Sequence, residues 1–355
     1  MMYTPSATAH ARPWSVLSAY DEEGNGIPEP AAGRLWLLTT GGTISTTVDR
    51  ETGRSAPTLG ADDLRRLVGR NHPGLELQAV AMDARPSWAL SVDEMLAIAR
   101  RARDLARDPA TRGVVITHGT TTLEYTAFLA DALLDRRTPV VLTGSMRKAD
   151  HPDPDGPRNL ADAVTVAASE AARGNGALVV FAGRVIAGSR AWKSRRSDPD
   201  AFADTGGDLG SVHDGEVTIV PRTGRIGPFG GELEPRVGFA KIVPGMDPGP
   251  LQAYAQEMRG MVVEALPGVG GVPPGLHATL EAVARRMPVV VVPRSPFGVV
   301  PETPTGGTGE PLQDLPLLSP GALTAEQAWL LLMLVLGEER DPESARRRFR
   351  EEVFR

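Results

Sequence analysis

Short apolar runs along this chain repeatedly stop at glycine. Leu35-Trp-Leu-Leu38 leads into Thr39-Thr-Gly-Gly-Thr43, Gly113-Val-Val-Ile116 into Thr117-His-Gly119, and Val140-Val-Leu142 into Thr143-Gly144. A fourth run, Ala177-Leu-Val-Val-Phe181, has the same makeup. Continuous apolar runs of this length, bounded by turn residues, suit strands buried on both faces of a parallel sheet. Between them apolar residues return at helical spacing over Val92–Leu105, Leu123–Leu134 and Asn159–Ala172, and a shorter helix is expected over Ala61–Val68. Leu75–Met82 alternates as a strand does. Strands alternating with helices predict an α/β fold, with a doubly wound, mainly parallel sheet in a large N-terminal domain.

The pattern changes after about Asp208. Asp214–Pro235 holds short β-like pieces among glycines and prolines. A second series follows: strands over Val237–Val243, Gly260–Ala265 and Pro288–Val292, and helices over Leu251–Arg259, Leu276–Arg286 and Ala325–Leu336. A last helix runs from an N-cap Asp341 with Pro342 behind it to Phe354. The expected organisation is a flexible extension over 1–33, an α/β domain over 34–212, a hairpin and linker over 213–235, and a smaller α/β domain over 236–355. The polar stretch Asp49–Pro57, just past the first strand, reads as a loop placed to act as a lid.

Composition narrows the classes. The net charge of −6 leaves no polybasic surface for nucleic acid or a membrane. The absence of cysteine removes disulfides and thiolate nucleophiles. Six histidines form no H-x-x-x-H pair, so no metal site is expected. The apolar run Ala328–Leu336 is too short to cross ~30 Å of hydrocarbon and reads as a buried helix. The first residues lack a signal-peptide pattern, and a cytoplasmic location is the default.

The candidate chemistry lies at the glycine exits. Thr43 follows Gly42, Thr120–Thr122 follow Gly119, and Ser145 follows Gly144. A parallel sheet puts these exits at one carboxyl edge, where ligands bind. Glycine lets a substrate approach backbone N–H groups, and a threonine hydroxyl becomes a nucleophile when a base takes its proton. Helix caps and satisfied turns are the plainer reading of each threonine alone. Gly41-Gly42 lacks the further residues of a dinucleotide or P-loop fingerprint.

Three of these segments carry a resemblance. Thr40-Gly-Gly-Thr-Ile44 resembles the first signature of the L-asparaginase and glutaminase family, and Thr117-His-Gly-Thr-Thr-Thr-Leu-Glu-Tyr-Thr-Ala127 resembles its second. Thr143-Gly-Ser-Met-Arg147, Asp155-Gly-Pro-Arg-Asn-Leu160 and the glycine loop Pro267–Pro273 are similar to further family motifs. The resemblance spans about Leu35 to Phe349. It implies a side-chain amide hydrolase in which Thr43 attacks the carbonyl, ammonia leaves, and water releases the acyl group. It gives Thr120 a part in activating nucleophile or water, Ser87 the substrate's α-carboxylate, and Gly42 and Gly119 the lining of the site. It implies no cofactor, and a dimer or tetramer in which one subunit's C-terminal domain closes another's site.

The departures bear on substrate choice. Thr121 replaces the family aspartate that holds the substrate's α-ammonium group, and a gapless count puts Glu170 at the family's catalytic lysine. The expected relay is then Thr120, Glu170 and Thr121, without its cation. Lys148 and Lys193 are candidate substitute cations, with a solvated position the plainer reading of each. Trp88 stands beside Ser87 where the family often has a small polar residue. Ala182-Gly183 replaces an Asn-Asp pair, Gly271 replaces an asparagine, and the Thr46–Pro57 loop has no tyrosine. A site that has lost a charge partner rejects the charged ligand strongly. The expectation is an amidohydrolase whose specificity has moved away from free L-asparagine. The alternatives are a non-catalytic ligand-binding homologue, or an acyltransferase passing the Thr43 acyl group to an amine.

Overall fold

The computed structural model describes residues 33–69, 76–135, 137–221, 224–300 and 315–355. The expected extension over 1–33 lies, apart from Gly33, outside them. The first half of the chain runs β1 (Arg34–Thr39), a hairpin of β2 (Thr46–Val48) and β3 (Ser55–Pro57), α1 (Ala61–Gly69), β4 (Glu76–Ala81), α2 (Val92–Ala106), β5 (Thr111–Thr117), α3 (Leu123–Leu133), β6 (Val140–Thr143), α4 (Gly156–Ala168) and β7 (Ala177–Phe181). Short strands follow: β8 (Arg184–Ala187), β9 (Ala191–Lys193), β10 (Phe202–Asp204), β11 (Gly210–His213) and β12 (Glu216–Ile219). The second half has β13 (Val237–Lys241), α5 (Pro248–Gln256), β14 (Gly260–Ala265), the single turn α6 (Pro267–Gly270), α7 (His277–Arg286), β15 (Val289–Pro293), β16 (Leu317–Leu318), α8 (Ala325–Glu338) and α9 (Pro342–Phe354).

Among the described residues, eight strands form the first sheet in the order β12-β11-β8-β7-β6-β5-β1-β4. The stretch from β7 to β4 is parallel, and β8, β11 and β12 continue it antiparallel. The chain passes from β1 to β4 on one side and then to β5 on the other. The crevice between β1 and β5 is therefore a topological switch point, where open α/β sheets bind ligands. The second sheet, β13-β14-β15-β16, is parallel throughout.

The strand period of two divides the core. Leu35 and Leu37 face α1 and α4 through Leu64, Val68 and Leu160, while Leu38 faces α2 and α3 through Leu96 and Phe128. Helix α8 is apolar on all sides because it is covered on all sides. It lies between α3 and the second sheet, and every residue from Leu330 to Leu336 is buried. Each buried leucine contributes roughly 2 kcal/mol over an exposed one, so α8 joins the two sheets through one continuous core. A capping box fixes its start: Gln327 N–H donates to Thr324 Oγ1 at 3.3 Å, and Thr324 N–H donates to Gln327 Oε1 at 3.0 Å.

Three local expectations change. The Asp49–Pro57 loop includes a strand, pairing as the β2–β3 hairpin. The expected helix over Asn159–Ala172 begins earlier and stops at Ala168. Ser169 Oγ accepts from Ala171 N–H and starts a separate 3-10 turn over Glu170–Ala172. The segment after Phe181 contains strands too short to leave an apolar pattern in the sequence, β9 among them.

Candidate active site

The switch-point crevice is built by backbone contact at two glycines. A Cβ on Gly42 would stand 2.7 Å from Gly119 N and Cα, and a Cβ on Gly119 would stand 2.6 Å from Ser87 Oγ. Neither position has room for a side chain. The two exits therefore meet directly, with Ser87 against Gly119 and with Thr43 and Thr120 each one residue beyond a touching glycine. Gly42 also has φ 92°, a conformation only glycine adopts readily.

Beyond Gly42, Thr43–Ser45 forms a 3-10 turn. Gly42 O accepts from Ser45 N–H at 3.1 Å, Ser45 Oγ–H at 3.0 Å and Thr46 Oγ1–H at 2.9 Å, which fixes the turn and leaves Thr43 half-buried at its head. Ser87 begins another 3-10 turn and is 4% exposed, and its carbonyl accepts from Thr122 Oγ1 at 2.9 Å. This bond ties the Ser87 turn to the start of α3. His118 is buried between Gly119 O at 2.9 Å from Nδ1 and Thr126 Oγ1 at 3.0 Å from Nε2. Burial pushes its pKa down to about 4, so it is neutral at pH 7 and braces the second exit.

Thr120 is buried, and its hydroxyl accepts a hydrogen bond from Lys193 Nζ at 2.8 Å. Desolvation lowers the Lys193 pKa, offset in part by Glu124. The Glu124 carboxylate accepts from the backbone N–H of Lys193. Burial pushes the Glu124 pKa up to about 7, with Glu326 of α8 adding to the rise. The arrangement thus holds a hydroxyl, an ammonium prone to give up its proton, and a carboxyl prone to keep one, all at the carboxyl edge of β5.

Glu170 does not belong to this cluster, and its expected place in the relay is corrected. Its side chain is 66% exposed and pairs with Arg112 at 3.0 Å and Arg173 at 3.0 Å. Arg112 stands at the start of β5, and the crevice lies beyond its end. At about 3.3 Å per strand residue the two are more than about 15 Å apart. The count along the chain followed α4 downward, away from the site. A cation does reach Thr120, but from β9, after the chain has turned back through β7 and β8: Lys193, expected only as a candidate substitute, donates to its hydroxyl.

The other expected residues divide. Thr121 is exposed at the head of α3, beside Thr120. Trp88 is 71% exposed, so its ring is not packed into the crevice. The β2–β3 hairpin, expected to act as a lid, is tethered: Val48 N–H donates to Asp150 Oδ2 at 2.8 Å, and Lys148 Nζ donates to Ser55 Oγ at 2.6 Å. Lys148 is thereby bonded to the hairpin and not to Thr120. Gly271 closes the turn after β14, where its carbonyl accepts from Leu266 N–H at 3.1 Å.

Sequence reasoning named Lys193 only as an alternative and missed Glu124 and Gln327. One signal was available. The chain has 38 basic residues but only three lysines, Lys148, Lys193 and Lys241. Arginine cannot give up a proton in a protein, whereas a half-buried lysine can. A lysine kept in an arginine-rich chain is therefore a candidate for proton chemistry. Among the described residues no group of His, Cys, Asp or Glu is arranged to hold a metal ion, and no helix is long and apolar enough to cross a membrane.

Fold and site together define a two-domain α/β protein with hydroxyl residues gathered at a sheet switch point. The chain belongs to the asparaginase family: residues 34–223 match the family model "Asparaginase, N-terminal" and residues 236–349 match "Glutaminase/Asparaginase C-terminal domain". It is similar to the L-asparaginase of Thermococcus kodakarensis, with 33% identity over 88% of this chain and 96% of the relative. The solved structure of the thermostable L-asparaginase from that organism has a TM-score of 0.79 and 31% identity, covering 89% of this chain and 96% of that one. The probable cytoplasmic L-asparaginase of Campylobacter jejuni has a TM-score of 0.77 and 25% identity, covering 89% and 99%. A glutamyl-tRNA(Gln) amidotransferase component from Methanosarcina mazei is 28% identical over 90% of this chain and 77% of its own length.

Proposed function

We propose that this protein is an amidohydrolase in which Thr43 is the nucleophile and the Lys193–Thr120 pair handles protons. The observation that carries the reading is the 2.8 Å bond from Lys193 to Thr120, in a cluster that the Gly42–Gly119 contact brings against Thr43. In this reading Lys193, whose pKa is lowered by burial, takes a proton from Thr120 as Thr120 takes one from Thr43 or water. The Thr43 oxygen then bonds to the amide carbonyl, the nitrogen takes the proton back from the Lys193–Thr120 pair, the C–N bond breaks, and ammonia leaves. Water attacks the resulting ester, giving the free acid and regenerating Thr43. In this reading backbone N–H groups near Gly42 and Gly119 would stabilise the oxyanion.

The substrate in this reading is an amide whose α-nitrogen carries little or no charge, such as an N-acylated or peptidyl asparagine or glutamine. Thr121 is neutral and exposed where a counter-ion would be needed, and an ammonium held without a partner pays its desolvation. Gly42, Ser87, Gly119 and Thr121 line the pocket, with Ser87 receiving the carboxylate. The protein is cytoplasmic and self-associates in this reading. Val243, Val269, Phe297 and Val299, all exposed, follow β13, β14 and β15 at the carboxyl edge of the second sheet, where a second copy would cover them. A non-catalytic binding role would keep the same cluster and release no ammonia. An acyltransferase would use the same acyl-Thr43 and differ only in the acceptor.

The test is ammonia release from free, N-acylated and peptidyl asparagine and glutamine, with Thr43→Ala as control. The expected result is release favouring the acylated amides and a loss of at least about a thousandfold in the variant. Activity surviving in Thr43→Ala would remove the nucleophile assignment, and ordinary turnover of free L-asparagine would remove the specificity shift.

A further inference from the structure

Strand β9 carries Lys193 but is not part of either large sheet. Among the described residues it pairs only with β10, as a two-stranded ribbon. Such ribbons are marginal on their own, yet Lys193 must hold one position against Thr120 to act on it. Each residue of β9 is held by something else. Lys193 N–H donates to Glu124 at the start of α3. The Trp192 ring meets Phe297, in the loop after β15, edge to face with centroids 5.8 Å apart. Ala191 O accepts from Gln327 Nε2 at 3.2 Å.

Gln327 is the informative contact. It is 5% exposed and lies in the first turn of α8, on the far side of the interface between the two sheets. Its amide is used at both ends, with Oε1 capping α8 through Thr324 N–H and Nε2 reaching β9. The same side chain therefore sets where α8 begins and where β9 lies. We infer that the C-terminal domain latches β9 through Gln327 and so sets the position of Lys193 on Thr120, making Gln327 a positioning residue for the hydrolysis. This rests on the proposed role of Lys193 in that reaction. The domain is then a working part of the site within one chain, beyond any contact it makes with a second copy. A displacement of about 1 Å in a proton-handling group can cost on the order of a hundredfold in rate.

The groups that face Lys193 are Thr120 from the second exit and Glu124 from α3, and Glu326 of α8 acts in turn on Glu124 and Tyr125. Releasing β9 admits water to Lys193 and moves its titration upward. Gln327→Met removes both amide bonds without adding charge. Gln327→Glu keeps the acceptor for Thr324 N–H, and so the helix cap, but loses the donor to Ala191 O. Both are measured in the full chain by kcat and KM against pH. Both are also followed by NMR of the protein after reductive 13C-methylation, where the three lysines report separately.

The expected result for Gln327→Met is a kcat lower by about tenfold, a KM within about twofold and a higher acid limb of the kcat profile. The Lys193 methyl titration should rise by about half a unit to one unit, with Lys148 and Lys241 unmoved. In a Lys193→Ala background the Gln327→Glu substitution should cost nothing further in rate. An unchanged profile and Lys193 titration in Gln327→Met, a fully additive loss in the double variant, or movement in Gln327→Glu alone would each overturn the latch. If the wild type releases no ammonia from any amide, the functional reading fails while the NMR titration still decides whether Gln327 holds Lys193.

Discussion

Two charged corners stand at opposite ends of β5. At the amino end Arg112 holds Glu170, whose side chain is 66% exposed. At the carboxyl end Lys193 holds Thr120, which is buried. Both are side-chain bonds of ordinary length, at 3.0 and 2.8 Å. The first is screened by water and is worth at most about 1 kcal/mol. The second lies where burial lowers the pKa of Lys193. Position relative to the sheet separates a solvent-screened ion pair from a cation–hydroxyl hydrogen bond at the edge where ligands bind.

The sharpest way to break this comparison is to remove each charged partner. Lys193→Ala should lower kcat/KM by about 10²–10⁴ on the preferred amide, the usual loss for a general acid–base group. Glu170→Ala should leave kcat/KM within about twofold and change stability by less than about 1 kcal/mol. Steady-state kinetics on both variants decide it, and the reverse ordering would return Glu170 to the relay.

A smaller effect separates the two buried titrating groups of the second exit. Unfolded His118 binds a proton below pH 6.5 that the folded form refuses until about pH 4. The unfolded state therefore holds more protons in that window, and stability rises with pH by about 3 kcal/mol. Glu124 acts oppositely. It ionises near its ordinary 4.5 when unfolded and near 7 when folded, so stability falls as pH rises between them. The two slopes offset each other from about pH 4.5 to 6.5. Glu124→Gln keeps an acceptor for Lys193 N–H and removes the falling term. Its melting temperature should climb relative to wild type from pH 4.5 to pH 7, and a constant difference across that range would show that Glu124 ionises normally.

The smallest expected effect lies in the turn between β7 and β8. Ala182 has φ 51° and Gly183 φ 75°. Two positive φ values in a two-residue hairpin turn favour Asn-Gly, and a left-handed alanine costs roughly 1 kcal/mol. Ala182→Asn should raise urea stability by about 0.5–1 kcal/mol without changing activity. A loss of stability would show that the alanine methyl packs more tightly than its exposure suggests.

How much of this was legible depends on where each signal resides. The runs at Leu35, Gly113, Val140 and Ala177 became β1, β5, β6 and β7 because a strand buried on both faces has to be apolar throughout. The Gly42 and Gly119 exits were legible for a similar local reason, since only glycine permits backbones to touch there. The lysine was not. Ala191-Trp-Lys193 is too short for a periodic signal, and its partners Thr120, Glu124, Phe297 and Gln327 lie far apart along the chain. Counting from a motif along α4 carried the expectation to Glu170, at the wrong edge of the sheet.

By itself the sequence determined the α/β fold, the glycine exits and the hydroxyls they present, because burial periodicity and glycine chemistry are local properties of the chain. It also determined the loss of charge at Thr121, which is a matter of residue identity. Only the tertiary structure decided which cation serves Thr120. That choice depends on how a three-residue strand is clamped between two domains, and no pattern along the chain encodes a contact between residues more than a hundred positions apart.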